Sequence, residues 1–348
     1  MSVFGARVVL TPVGGLADGG RSNVATMREF LESLTVPSDY GTLDKQVDGW
    51  EFSNEFWRRD GQSRERNDLT FGPYGRGRLF WDPRLVTSTL YPGVQWMQSD
   101  EPMSTYSGSD SLGLYEFKCI VRDIQMPPAE HRVFVVKFVG PESPELDIVQ
   151  KIARVKTDRI CASVLWRAGD AVPVAGGAVA MERATGDMNA LKGKLSDHDA
   201  ALAARAIFVE CYTLWRSTRG LMQTDIKPAN FLYFKKGPAF TVCMSDYESL
   251  VQRGQAVRRS TLSTNEQTQA TWQRAAFQIW QCACMFRDPP YENTMTSTHD
   301  EYVRSIPAGW FKDLVNALAT LPRDDVSLIQ SAFETYMPTK LNSGKRKK

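Results

Sequence analysis

Between a stretch that reads as one strong helix, Ala200 to Arg216, and a stretch that reads as a hairpin, the chain places Asp225-Ile226-Lys227-Pro228-Ala229-Asn230. The hairpin is Phe231 to Phe234 and Phe240 to Met244, flanking the turn residues Lys235-Lys236-Gly237-Pro238. A second acidic group, Asp246-Tyr247-Glu248, follows directly. The pattern confines the fold: both polar groups stand on loops around a small hairpin, in a half of the chain that is otherwise mostly helical.

The rest of the chain divides by pattern around this centre. Residues 1–100 are rich in Gly, Asp, Arg and Trp with weak periodicity; Met27 to Leu34 reads as a short helix and Arg78 to Trp81 as a short strand. Trp50, Trp57, Trp81 and Trp96 suggest packing rather than disorder. Leu114 to Val121 and Arg132 to Val139 read as strands joined through Pro127-Pro128, and Ser163 to Trp166 and Ala178 to Met181 as further short strands. Between them, Glu145 to Val155 carries Leu146, Ile148, Val149, Ile152 and Val155 at helical spacing behind the start signal Ser143-Pro144. Thr271 to Phe286 is apolar nearly all round, the mark of a buried central helix. Trp310 to Leu321 and Val326 to Tyr336 are amphipathic, and Lys345-Arg346-Lys347-Lys348 form a basic tail.

Composition excludes several classes. Forty-two basic against 40 acidic residues leave a formal charge of +2, which argues neither for nor against nucleic acid. With the tail read as a solvated terminus, a nucleic-acid partner is not expected. No apolar run approaches the roughly 18–20 residues that span a bilayer, and the N-terminus lacks a basic region followed by a long apolar core, so neither a membrane span nor a signal peptide is expected. The 6 cysteines lack paired zinc-type spacing and read as buried free thiols, and the 3 histidines are too scattered for a histidine-rich metal site.

The residues of the central motif suit one kind of chemistry. A loop aspartate can orient a hydroxyl nucleophile, an asparagine and a second aspartate can hold Mg²⁺, and a lysine can offset charge on a moving phosphoryl group. The order of strands, one helix, more strands and a helical half resembles the protein kinase fold, and the likeness runs through individual motifs. Gly108-Ser109-Asp110-Ser111-Leu112-Gly113 is similar to the glycine-rich loop at its first and third glycines, where absent side chains let backbone N–H groups approach phosphates. Asp110 takes the middle place and adds a Cβ and a negative charge. Gly72-Pro73-Tyr74-Gly75-Arg76-Gly77 lies too far ahead to serve. Val135-Val136-Lys137-Phe138 resembles the third-strand lysine motif; a lysine inside an apolar strand is costly unless paired. Glu145 stands three, four and seven residues before Ile148, Val149 and Ile152, on the helix's inward face, and is the candidate partner, with Glu142 and Asp147 as competitors.

Gln223 to Asn230 resembles H-R-D-L-K-P-x-N, with Gln223-Thr224 in place of His-Arg, and Asp246-Tyr247-Glu248 resembles D-F-G. No A-P-E follows, and Gln273-Arg274 stand where the central helix of that family carries an aspartate. Asp225 to Leu232, the missing A-P-E and the run Trp310 to Met337 are similar to the casein kinase I and vaccinia-related kinase group.

The resemblance covers about residues 101–338. It implies an α+β, bilobal fold with a small β-rich N-lobe over 101–180, a larger helical C-lobe over 181–338, an N-terminal extension over 1–100 and a basic tail over 339–348. Met181 to Met188 is the expected hinge. ATP is expected between the lobes, held by Gly108, Gly113, Lys137 and Glu145, with Mg²⁺ on Asn230 and Asp246. Asp225 would orient the substrate hydroxyl and Lys227 would stabilise the transferring group. The activity implied is that of a serine/threonine-type protein kinase acting on a protein substrate. The alternative, supported by Asp110, Gln223-Thr224 and Glu248, is a weak or inactive pseudokinase serving as a binding or scaffold module. Without the arginine replaced by Thr224, activity is not expected to need a phosphorylated activation loop. The extension over 1–100 is the expected contact for a protein partner, and the expected setting is intracellular, cytoplasmic or nuclear, viral or host-cell.

Overall fold

The computed structural model describes residues 27–35, short strand segments between 42 and 98, and residues 111–120, 132–139, 143–154, 162–167, 177–236, 239–257, 269–291 and 299–338. They form two bodies of mixed helix and strand, one within residues 13–183 and one within 184–348.

The first body opens with α1 (Met27–Glu32) and the short strands β1 (Leu34–Thr35), β2 (Thr42–Leu43), β3 (Glu51–Ser53), β4 (Phe56–Arg59), β5 (Gln62–Glu65), β6 (Leu79–Phe80) and β7 (Thr87–Ser88). β1 pairs with β7, β2 with β6, and β3, β4 and β5 form one small antiparallel sheet. The main sheet contains β8 (Gln95–Gln98), β9 (Ser111–Ile120), β10 (Arg132–Val139), β11 (Ala162–Arg167) and β12 (Gly177–Glu182). They lie antiparallel in the order β11-β12-β10-β9-β8, so this sheet draws on residues either side of position 100.

On β10, Phe134, Val135, Val136 and Val139 are all buried, so both faces of the strand are covered; a continuous apolar run fits such a place better than alternation does. Helix α2 (Glu145–Arg154) links β10 to β11 and lays Leu146, Val149 and Ile152 against β11 and β12. Helix α1 packs on the same two strands, with Phe30 fully buried and edge-on to Phe134 at 6.0 Å between ring centres. It ends at Glu32 rather than Leu34. Ser33 Oγ donates to the Phe30 carbonyl at 2.6 Å, a local bond that competes with further helical turns, and Leu34 passes into β1.

The second body comprises β13 (Gly186–Asp187), α3 (Asp197–Ser217), β14 (Leu221–Gln223), β15 (Phe231–Lys236), β16 (Ala239–Met244), β17 (Leu250–Gln252), α4 (Trp272–Phe286), α5 (His299–Ser305), α6 (Trp310–Ala319) and α7 (Val326–Tyr336). Its centre is α4, with 13 of 15 residues buried, packed between α3 and α6. Helix α3 begins three residues before the alanine-rich pattern does, because Ser196 caps it: Ser196 Oγ accepts from Asp199 N–H at 3.2 Å, and Asp197 and Asp199 favour the positive end of the helix dipole.

Aromatic rings line the packing of α3: Phe208 stacks on Tyr212 and on Phe333, and Trp215 meets Trp272 edge-on at 5.4 Å. In the link between α6 and α7, Asp324 accepts from both Arg253 and the Trp272 backbone N–H, joining three elements. Cys211, Cys282 and Cys284 are buried free thiols and Cys243 is half-buried. Among the described residues no helix is long and apolar enough to cross a membrane.

Candidate active site

In the first body, register sets the stage. Lys137 lies opposite Leu114 on β9 and Val179 on β12, in the interior of the sheet. Its side chain is nearly buried, a costly place for an ammonium group without a counter-charge. Glu145, at the start of α2 and 0% exposed, supplies one: Lys137 Nζ lies 2.7 Å from Glu145 Oε2. Of the competing acids, Asp147 is exposed and Glu142 lies outside the described residues. Gly113 stands third in β9, opposite Phe138 and one step from the Lys137 pairing. Gly108 and Asp110 lie outside the described residues, as do Gly72 to Gly77 and the basic tail.

In the second body, β14 and β17 pair antiparallel and β15 and β16 form the hairpin, so the two acidic groups emerge side by side. A single 3₁₀ turn, Pro228–Asn230, closes the first loop; proline at its start suits the bend because its missing N–H would go unused there. This turn folds Asn230 back on Asp225. Asn230 Nδ2 donates to the Asp225 carbonyl at 2.8 Å and to Asp225 Oδ2 at 3.1 Å. Lys227 Nζ reaches the same Oδ2 at 2.7 Å. Asp225, Lys227 and Asn230 are thus one assembled cluster, with Asp225 and Asn230 buried and Lys227 partly exposed. Ser245 N–H donates to the Asn230 carbonyl at 3.0 Å, which puts Asp246 one residue from that contact.

Gln223 ties the two loops together. Its Oε1 accepts from Asp225 N–H at 3.0 Å, and its Nε2 donates to the Asp246 carbonyl at 2.7 Å. Thr224 completes the link, with Oγ1 donating to the Ser249 carbonyl at 2.7 Å. Tyr247 is buried and its hydroxyl donates to the Met244 carbonyl at 3.0 Å.

Helix α4 anchors the first loop from below. Gln278, fully buried, donates through Nε2 to the Thr224 carbonyl at 3.0 Å and accepts from Ile226 N–H at 3.4 Å. Arg274, one turn earlier, approaches the same carbonyl at 3.4 Å through both Nε and a terminal nitrogen. Burial pulls the Arg274 guanidinium below its ordinary pKa, and the negative charge of Asp225 pushes it back up. Sequence reasoning passed over Gln278 and saw Arg274 only as a missing aspartate. One signal was present: Arg274 and Gln278, four apart on one face of a largely apolar helix, need buried partners.

The donors suit Mg²⁺. Asn230 spends its amide nitrogen on Asp225, which leaves Oδ1 as an acceptor, and Asp246 adds a carboxylate. Among the described residues no group of three or more His, Cys, Asp or Glu gathers as a self-sufficient metal cage. An amide oxygen with one carboxylate fits a cation that keeps waters and takes phosphate oxygens as its other ligands.

No protein-family model matches the sequence, and no curated protein matches it. Among solved structures, the chain is similar to the Cydia pomonella granulovirus kinase PK-1, at 15% identity and a TM-score of 0.46, over 67% of this chain and 92% of that one.

Proposed function

We propose that the chain is an ATP-dependent phosphotransferase of the protein kinase type, acting on serine or threonine hydroxyls of a protein. The observation that carries this is the Asp225 cluster: one buried carboxylate with a lysine at 2.7 Å and an asparagine at 3.1 Å, joined through Gln223 to the loop of a second aspartate. Asp225 would orient the attacking hydroxyl and accept its proton, and Lys227 would offset charge on the group in transit. Asn230 and Asp246 would hold Mg²⁺, which when bound neutralises phosphate charge. Lys137, oriented by Glu145, would bind nucleotide phosphates. Most of the rate gain in such a site comes from positioning and fixed charge. Lys227, two residues after the aspartate, favours Ser/Thr over Tyr acceptors by family resemblance, as the C-terminal helices favour the casein kinase I and vaccinia-related kinase group.

The pseudokinase reading rests on Glu248, half-buried two residues after Asp246, where it adds negative charge beside the proposed metal site. One experiment separates the two. Mg-ATP stabilisation against heat and transfer of labelled phosphate to casein are measured for the parent and for Asp225→Ala. The kinase reading expects stabilisation in both proteins and transfer in the parent alone. Binding without transfer, unchanged by the substitution, would sink it.

A further inference from the structure

Three arginines meet at the far end of α3. Arg216 lies in the last turn of the helix, Arg219 follows it, and Arg253 follows β17; with Trp215, Gly220 and Gln252 they line a cleft of about 370 Å³. Strand pairing brings them together: Leu221 lies opposite Gln252, and Arg253 N–H donates to the Gly220 carbonyl at 3.0 Å. The walls are fixed. Trp215 is stacked on Tyr212 and set edge-on against Trp272, and Gly220 N–H donates to the Trp215 carbonyl at 2.9 Å. Arg253 is held by Asp324 through Nε and a terminal nitrogen, which aims its guanidinium. Arg216 and Arg219 are exposed, and their side chains make no hydrogen bond or ion pair among the described residues.

Arg219 is the telling residue. It is the described non-glycine residue with left-handed backbone, φ 56°, at the position just past a helix where glycine is the unstrained choice. Glycine would serve the backbone better, so what arginine brings is its side chain. Complementing the negative end of α3 explains part of this. That half-charge does not need two full ones, and the surplus faces the cleft.

We propose that this cleft binds a phosphate monoester carried on a peptide, a phosphorylated serine or threonine. Two uncommitted guanidinium groups and a third already oriented match a tetrahedral dianion, which arginine takes through paired N–H donors. The volume exceeds what a lone phosphate needs and is at the small end of ligand clefts, so the atoms that bear the phosphate also fit. Nucleic acid is a poorer match, because it asks for a line of phosphate contacts rather than two free guanidinium groups beside one already paired to Asp324. This site is separate from the Asp225 cluster and does not depend on phosphoryl transfer.

The test is fluorescence polarisation on the full chain, with a labelled neutral peptide carrying one phosphoserine and its unphosphorylated twin. Arg219→Gly is the decisive variant, because it removes the side chain and relieves the backbone strain, so the protein stays folded. The phosphopeptide should bind at least about tenfold more tightly than its twin, inorganic phosphate should compete, and Arg219→Gly should weaken binding about tenfold with an unchanged or higher melting temperature. Arg216→Gln with Arg219→Gly should abolish it. Equal binding of the twin, no binding of either peptide, parent-like binding by Arg219→Gly, or a single-stranded oligonucleotide that competes better than the phosphopeptide would each overturn the proposal.

Discussion

Replacing Gln223 by methionine is the sharpest test of how the two acidic loops are held. Methionine keeps the length and apolar stem of glutamine and removes its amide. Three bonds go: Asp225 N–H to Oε1 at 3.0 Å, Nε2 to the Asp246 carbonyl at 2.7 Å, and a weak one from Nε2 to Met244 Sδ at 3.3 Å. A buried backbone group that loses its partner costs about 1–3 kcal/mol. Gln223 and Asp225 are buried, so the first loss is near full size, whereas Asp246 is half-buried and water can replace part of the second. The expected loss of stability is therefore about 2–3 kcal/mol, read in urea as a midpoint shift of about 1 M.

The rate effect follows from geometry. If the loops slip by even about 1 Å, phosphate transfer to casein should fall roughly a hundredfold. Mg-ATP stabilisation should fall less, since the substitution leaves the Lys137–Glu145 pair untouched. Gln223→Glu should do worse than methionine: it keeps an acceptor for Asp225 N–H but sets a carboxylate against the Asp246 carbonyl. A methionine variant within about 0.5 kcal/mol of the parent, transferring phosphate at the parent's rate, would refute the linkage argument.

Two further outcomes follow from buried charge and burial. Glu145→Gln removes the carboxylate that lies 2.7 Å from the buried Lys137 ammonium and should cost about 3–5 kcal/mol; Lys137→Met with Glu145→Leu should recover most of that stability while still abolishing Mg-ATP stabilisation, and a double variant as unstable as the single would refute the buried-pair account. Burial, helped by neighbouring Cys284, pushes the Tyr302 hydroxyl up to about 12. The folded state then keeps a proton that the unfolded chain releases near pH 10, so stability present below pH 10 is lost as the pH rises toward 12. Tyr302→Phe should flatten that part of a melting-temperature profile, and an unchanged slope would assign it to other groups.

Legibility in the sequence depended on how local the cause was. Strand β10 was read to its ends, because Arg132 to Val139 is almost wholly β-branched and aromatic, and α7 likewise, because Asp325 caps it with a bond to Ser327 N–H at 3.0 Å. The start of α3 was missed because the alanine pattern begins after the cap that sets it. The meeting of Lys137 and Glu145 was accessible from counting residues on one helix face. Gln278 was not: a glutamine in an apolar helix reads as an interruption until its partners on a distant loop are known. The arginine cleft was hidden for the same reason, since only the pairing of β14 with β17 brings Arg253 beside Arg219.

The departures from the kinase-like motif change meaning once their partners are seen. Gln223 and Thr224 stand where histidine and arginine are usual, and on sequence they count against an intact site. In the fold their side chains reach Asp225 N–H, the Asp246 carbonyl and the Ser249 carbonyl. The aspartate missing from α4 is likewise matched by Gln278 and Arg274 on the Thr224 carbonyl. In both places a neutral amide takes up the contacts, and the positive charge absent at Thr224 stands instead on the helix below, within electrostatic reach of Asp225. An amide does not titrate, so these links hold across the working pH range. The weight of the pseudokinase alternative thus shifts from Gln223-Thr224 to Glu248, and Glu248→Gly is the substitution to make. If Glu248 suppresses metal binding, that variant should raise Mg-ATP stabilisation above the parent's, and an unchanged response would remove the last described departure that counts against catalysis.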